Sequence, residues 1–368
     1  LQKENMSYSI EQFPKPEQLA NTAIYKKLIS AHRYLAELKG VCRSMPNQAI
    51  LINTLILQEA KDSSEIENII TTHDELFREA VFPEYAGKAA AKEVQNYTVA
   101  LRRGYELLCK DRILTNRHIL AIQEELERNR SGFRKLPGTE LKNDKTGQTV
   151  YQPPQHPDEI LRLMGQLERF INEADNETDP LIRMAVIHHR FESIHPFYDG
   201  NGRTGRIINV LYLVLSGLLD IPVLYLSRYL VQNKSEYYRL LQYVRDTGEW
   251  HEWVLYMLTA VEQTAQQSIT IVGNIREAMQ DYKHRIRDKF PFYSQDLINH
   301  LFCHPYTKID FAMEALAVSR PTASKYLDEL TAAGLLFKQK LGKSNYYINL
   351  ALYHILSGKF PLSNSQPG

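Results

Sequence analysis

Within twelve consecutive residues, His195-Pro196-Phe197-Tyr198-Asp199-Gly200-Asn201-Gly202-Arg203-Thr204-Gly205-Arg206, the chain collects one imidazole, one carboxylate, one amide, three glycines and two guanidiniums. Those side chains suit a phosphate-bearing ligand. Glycines let the backbone approach it, successive N–H groups form an anion nest, and a helix starting there adds its positive end. Asp199 is a candidate Mg²⁺ ligand, Asn201 a candidate donor to a phosphate oxygen, and Arg203 and Arg206 candidate grips on further phosphates. At the mouth of the loop, a neutral His195 imidazole can take a proton from an incoming hydroxyl. The loop therefore reads as a nucleoside-triphosphate site with its own base. Gly200-x-Gly202-x-x-Gly205 also satisfies the dinucleotide fingerprint, but that motif follows a strand. Here Met184, Ile187, Phe191 and Ile194 recur at helical spacing just before the loop. His188 and His189 come without a His-Glu-x-x-His pattern or paired cysteines, and are assigned to structure rather than to a metal.

Buried helices must hold such a loop. The pattern predicts one over 179–194 and another over 207–219, the latter almost continuously apolar. The whole chain has 368 residues, 43% of them hydrophobic, enough for a large core in two or three domains. Its 44 basic and 43 acidic residues argue against a surface that coats nucleic acid. Cys42, Cys109 and Cys303 have no metal-binding spacing and read as ordinary thiols of a reducing compartment. Residues 1–21 lack a signal-peptide pattern and no apolar run reaches membrane-spanning length, so the expectation is a cytoplasmic protein.

In chain order, 22–82 has helical periodicity broken at Pro46. Inside it, Ser64-x-x-Glu67 fits a capping box opening a helix whose buried face begins at Ile66, Ile69 and Ile70. Helical stretches follow over 89–108 and 114–129, the first containing Glu93-Val94-Gln95-Asn96-Tyr97. After Gly132-Phe133-Arg134 the period changes. Residues 139–142 and 148–151 flank the turn-rich segment 143–147 and predict a β-hairpin. Helices over 159–174 and 179–194 lead into the loop. Beyond it, Tyr237 and Tyr238 offer faces suited to a purine, or a pair of core tyrosines. A helix over 250–267 closes the core, and 271–287 reads as a charged helical linker. Two short helices (309–316 and 322–333) follow, the second with Ser319 as N-cap, Pro321 in its first turn and Gly334 as its stop. Residues 335–339 and 344–348 flank Lys340-Leu341-Gly342-Lys343 as a two-stranded wing.

The loop resembles the signature of the Fic family, His-x-Phe-x-(Asp/Glu)-Gly-Asn-Gly-Arg-x-x-Arg, with every defined position present. Through its motifs the resemblance runs from Ser63 to Gln267. It implies transfer of AMP from ATP to a Ser, Thr or Tyr hydroxyl of a protein. His195 would be the base, Asp199 the Mg²⁺ ligand, and Gly200, Asn201 and Gly202 would stabilise charge on the α-phosphate. Arg203, Gly205 and Arg206 would complete the phosphate site, Phe197 would anchor the loop in the core, and Tyr238 would pack on adenine. Many relatives have an asparagine seven residues beyond that tyrosine, where this chain has Arg245. Ser63-x-x-x-Glu67-Asn68 resembles the family's inhibitory motif, (Ser/Thr)-x-x-x-Glu-(Gly/Asn), which implies that Glu67 pairs with Arg206 and denies it to the γ-phosphate. The hairpin resembles the flap that docks a target protein by strand addition.

The C-terminal segment resembles a winged helix-turn-helix. Arg320, Thr322, Ser324, Lys325, Lys340 and Lys343 are its candidate DNA contacts, although Asp328 and Glu329 share the helix and leave protein docking or homo-oligomer formation open. The expected fold is thus mainly α: an N-terminal helical region with the inhibitory helix (1–88), a Fic core with a hairpin flap (89–267), a helical linker (268–296) and the winged helix-turn-helix (297–358). Three other functions remain at this level. They are removal of AMP from modified proteins, transfer of a different nucleotide or phosphate-bearing group, and a DNA-binding regulator that senses nucleotide.

Overall fold

Asparagines at two N-caps start the first long helices. In the computed structural model, which describes residues 8–81, 88–142, 146–173, 177–341 and 344–358, a short turn α1 (Pro16–Leu19) precedes α2 (Thr22–Arg43). Asn21 Oδ1 accepts from Ile24 N at 3.0 Å, and after the break at Pro46 the side chain of Asn47 caps α3 (Gln48–Ile66) in the same way. Next come α4 (His73–Val81), α5 (Ala89–Asp111) and α6 (Asn116–Glu127). The predicted hairpin follows, with β1 (Leu141–Lys142) antiparallel to β2 (Thr149–Tyr151). Its turn at 143–145 lies outside the described residues, as do the predicted helix ends at Phe82 and Ala174. The remaining core helices are α7 (Pro157–Asn172), α8 (Pro180–Ile194), α9 (Asn201–Leu215), α10 (Ser227–Gln232) and α11 (Lys234–Thr247). Both α8 and α9 are buried almost along their whole length, which explains why neither shows a clean amphipathic stripe.

The expected linker is not one. A single helix, α12 (His251–Lys289), runs through both the predicted core helix and the predicted linker, about 58 Å at 1.5 Å per residue. Its charged second half buries Val272, Ile275, Met279, Tyr282 and Ile286, apolar positions alternating three and four residues apart. That seam packs on the C-terminal unit, and the first half lies along α2, with Lys27 Nζ 2.6 Å from Glu262 Oε2.

The C-terminal unit comprises α13 (Gln295–Cys303), β3 (Tyr306–Lys308), α14 (Ile309–Leu316), α15 (Arg320–Ala332), β4 (Leu336–Leu341), β5 (Ser344–Asn349) and α16 (Leu350–Ser357). The two predicted strands pair antiparallel, Phe337 opposite Ile348, and β3, not foreseen, adds a third strand in the order β3-β5-β4. This unit is anchored on the N-terminal helices. Phe77 of α4 has its ring centroid 5.5 Å from that of Tyr306 and 5.8 Å from that of Tyr353. The Tyr306 hydroxyl donates to Asp74 Oδ1 at 2.6 Å, and Lys308 Nζ to the carbonyl of Val81 at 2.8 Å. No helix among the described residues is long and apolar enough to cross a membrane. The three cysteines are free, and burial pushes the Cys42 thiol up to about 12.

Candidate active site

The twelve-residue loop joins the end of α8 to the start of α9, and its backbone is fixed at both ends. His195 is the C-cap of α8, in the left-handed region at φ 49°, with its N–H on the carbonyl of Phe191 at 2.9 Å. A helix precedes the glycines, so the dinucleotide reading falls. Phe197 is fully buried, as expected. Asn201 clamps it: Oδ1 accepts from Phe197 N at 2.9 Å and Nδ2 donates to Phe197 O at 2.8 Å. This corrects the expectation that the Asn201 amide reaches for phosphate, because both its ends are committed to the loop. Gly200, at φ 75°, turns the chain into α9, and a Cβ there would collide with Glu127. The first bond of α9 runs from Thr204 N to Gly200 O, so by helix geometry the amides of 201–203 have no acceptor within the helix. Gly205 faces Phe191 and Glu192 on α8.

The loop opens on a cavity of about 380 Å³ lined by Glu67, Ile69, Glu93, His195 and 198–203. His195 presents a neutral ring there. Burial, with the charges of Arg134 and Arg245 adding to it, pushes its pKa down to about 4. Its Nδ1 is buried with no partner among the described residues. Asp199 is exposed at the rim and makes no ion pair among the described residues. Three carboxylates, those of Glu67, Glu93 and Asp199, line the cavity against the single guanidinium of Arg203. Glu67 and Glu93 are engaged by Arg206 and Arg203, so Asp199 is the carboxylate that would be open to Mg²⁺, an ion commonly held through one or two carboxylates while keeping waters and substrate oxygens.

Arg206 is 1% exposed and is held through Nε and Nη2 by Ser63 and Glu67. Nε donates to Ser63 Oγ at 2.7 Å, and Nη2 to Ser63 O at 2.9 Å and Glu67 Oε1 at 2.8 Å. Burial pushes the Glu67 carboxyl up, but the Arg206 charge and hydrogen bond, helped by Arg203 and Lys234, outweigh it and leave it below its ordinary value. A Cβ on Gly202 would collide with the same Glu67 Oε1. The carboxylate therefore lies against Gly202 in the first turn of α9. The capping-box reading is overturned, since Glu67 is the C-cap at the far end of α3 and Ile70 is exposed. Asn68 takes the left-handed conformation at φ 62°, with Asn68 N on Glu65 O and Ile69 N on Ser64 O, both at 3.0 Å, the double bond of a Schellman cap. That explains an asparagine at this position, and its Oδ1 also accepts from Lys234 Nζ at 3.0 Å.

Arg203 departs from expectation. It is held between Glu93 Oε2 at 3.1 Å and Glu127 Oε1 at 2.8 Å, so it meets a phosphate only by exchanging a carboxylate. Neither carboxylate was singled out from the sequence, although Glu93 lies in the noted segment 93–97. Tyr237 belongs to the core, its hydroxyl 2.8 Å from His188 Nε2, whereas the adjoining Tyr238 is 44% exposed and meets it edge-on at 5.1 Å. His188 and His189 are buried and structural, and no group of three metal-ligating side chains occurs among the described residues. Arg245 lies over the Tyr151 ring at 4.2 Å and donates to Ser193 Oγ at 3.0 Å. Glu192, also missed, is buried close to Arg206, and burial raises its carboxyl to about 7. In the C-terminal unit the candidate DNA contacts are largely neutralised. Arg320 pairs with Asp310, Lys325 with Glu329, Ser324 reaches Asp328, and Thr322 bonds Ser319 Oγ. Lys340 is exposed, and Lys343 lies outside the described residues.

Three family models match the chain: Fic/DOC family N-terminal over 25–106, Fic/DOC family over 113–213, and protein adenylyltransferase SoFic-like, C-terminal domain, over 278–352. Protein adenylyltransferase fic-1 of Caenorhabditis briggsae is 29% identical over 165 residues, 43% of this chain and 31% of that protein. Protein adenylyltransferase Fic of Drosophila grimshawi is 27% identical over 160 residues, 43% of this chain and 29% of that protein. The chain spans about a third or less of the length of these curated relatives. Among solved structures, a Fic family protein from Desulfovibrio desulfuricans G20 is similar in fold, with a TM-score of 0.56 at 21% identity over 89% of this chain and 96% of that one. A Fic domain containing signaling protein from Bacteroides thetaiotaomicron has a TM-score of 0.52 at 20% identity over 66% of this chain and 96% of that one.

Proposed function

The chain belongs to the Fic/DOC family, and from that premise we propose that it is a protein adenylyltransferase that moves AMP from ATP to a Ser, Thr or Tyr hydroxyl of a protein and is restrained by its own Glu67. The observation that carries this reading is the cavity itself. An uncharged imidazole, the open amides of a helix N-terminus and a displaceable carboxylate on Arg206 meet in one space. His195 takes the proton of the attacking hydroxyl, whose oxygen bonds to the α-phosphorus as the bond to the β-phosphate oxygen breaks and pyrophosphate leaves. The amides of 201–203 stabilise charge on the α-phosphate, with Asn201 holding the loop in shape. Once Glu67 withdraws, Arg206 binds the γ-phosphate, and Arg203 exchanges Glu93 or Glu127 for the β-phosphate. Asp199 would hold Mg²⁺, which would offset the charge of the triphosphate beside Glu93 and Asp199.

Tyr238 lines the base site, and the hairpin edge pairs with the segment carrying the target hydroxyl. The C-terminal unit is assigned to protein contact rather than DNA, because acidic partners pair with Arg320 and Lys325 of its second helix. Incubating the chain and its Glu67→Gly form with α-labelled ATP and a cell lysate tests the proposal. The Glu67→Gly form should label proteins more strongly, and mass spectrometry should find AMP on a hydroxyl. Loss of AMP from a pre-modified protein, with no forward labelling, would instead favour the reverse reaction, with Glu67 positioning water.

A further inference from the structure

The hairpin and the catalytic loop are joined more closely than two neighbouring loops need to be. Three successive amides at the start of the hairpin stem all point into the loop. Arg134 N donates to Pro196 O at 2.8 Å, and Lys135 N and Leu136 N both donate to the Tyr198 hydroxyl, at 2.9 and 3.1 Å. The buried Arg134 guanidinium works in the opposite direction. Nε donates to His195 O at 2.6 Å, while Nη2 bridges Pro154 O at 2.5 Å, where the stem returns, and Ile194 O at 3.4 Å. Gln155 closes the stem, accepting from Gly138 N at 2.7 Å and donating to Thr139 O at 3.0 Å. Phe133 and Phe197 pack beneath, ring centroids 5.2 Å apart.

We propose that Tyr198 and Arg134 are positioning residues that fix the hairpin stem to the catalytic loop, so that one set of hydrogen bonds sets both the strand register offered to the target and the place of the His195 imidazole. Tyr198 sits at an undefined position of the loop signature, between Phe197 and Asp199. Its ring is half exposed, so its hydroxyl rather than its burial is what the stem uses. Arg134 holds the carbonyl of a residue in the left-handed region, and with Arg245 it supplies the positive charge facing the ring, Glu67 opposing both. A target strand that shifts the stem therefore shifts the base.

This inference rests on the proposed transferase reading, and the test separates the two. In the Glu67→Gly background, the full-length His195→Ala chain serves as acceptor protein and α-labelled ATP as donor. Tyr198→Phe removes the only acceptor the two stem amides use. It should raise KM for the acceptor about tenfold, the worth of one or two net hydrogen bonds, with the affinity for ATP and the melting temperature unchanged. Arg134→Gln should lower kcat and move the acid limb of the rate to higher pH, because a cation that disfavours the imidazolium is gone and only Arg245 remains. If Arg134→Gln does not fold, Tyr198→Phe decides alone. A parent that transfers label while Tyr198→Phe keeps its KM overturns the inference, as does equal weakening of ATP binding. A parent that transfers no label overturns the transferase reading beneath it.

Discussion

Replacing Glu67 by glycine should free Arg206 for the triphosphate. The carboxylate makes one charge-assisted bond to Arg206 Nη2 at 2.8 Å, and 34% of its side chain remains exposed. Bonds to charged groups contribute about 1.5–3 kcal/mol, and partial exposure favours the lower end. Releasing about 1.5 kcal/mol corresponds to roughly tenfold in the population able to bind ATP with its γ-phosphate on Arg206. The same change clears Oε1 from beside Gly202 in the cavity, so the rate should rise by about tenfold or more. Arg206 keeps both of its bonds to Ser63, so the cost in stability is about the same 1.5 kcal/mol. Ser63→Ala should raise the rate less, because the Ser63 carbonyl remains. The assay is the initial rate of α-labelled AMP incorporation into the chain itself, alongside thermal melting. Adding Arg206→Ala to Glu67→Gly should erase the gain. A folded Glu67→Gly protein that is no faster than its parent would refute the argument.

Four further outcomes are expected. His195→Ala should cut transfer by roughly 10²–10⁴-fold with ATP binding retained. In the Glu67→Gly background the acid limb of the rate should lie at or below about pH 4, since a depressed pKa keeps the ring neutral and competent until the pH falls through that value and the substitution removes a carboxylate that raises it; a limb near 6.5 in a pH–rate profile would mean the base is not this buried ring. Asp199→Asn should weaken Mg²⁺-dependent transfer and be partly rescued by added Mg²⁺, whereas a wild-type reaction indifferent to EDTA would remove the metal from the site. Tyr306→Phe should raise basal labelling about threefold by loosening α4, six residues beyond Glu67, through loss of its bond to Asp74; an unchanged rate with an intact fold would separate the C-terminal unit from the restraint.

The loop was legible as a unit because its residues are contiguous: twelve positions carry the imidazole, the carboxylate, the guanidiniums and the glycines, and flanking apolar spacing identifies both helices. What was misread depends on distance or direction. Ser64-x-x-Glu67 fits a helix start and a helix end equally well as a local string, and only the left-handed Asn68 reveals which it is. The seam of α12 was hidden because charged residues dominate its second half while the buried positions recur three and four apart. Asn201 looked like a ligand because an amide can serve either phosphate or backbone, and the sequence does not say which is nearer. Arg134, Glu93 and Glu127 acquire meaning only through contacts 61, 110 and 76 residues away.

The central claim is that this cavity cleaves ATP between its α- and β-phosphates and keeps the AMP on a protein hydroxyl. Parallel incubations of the Glu67→Gly chain with α-labelled and with γ-labelled ATP measure this directly, with Glu67→Gly/His195→Ala as the control. The account predicts protein-bound label from the α position, γ-label recovered as pyrophosphate, and neither product from the control. Protein-bound γ-label, or α-label incorporated equally without His195, would contradict it.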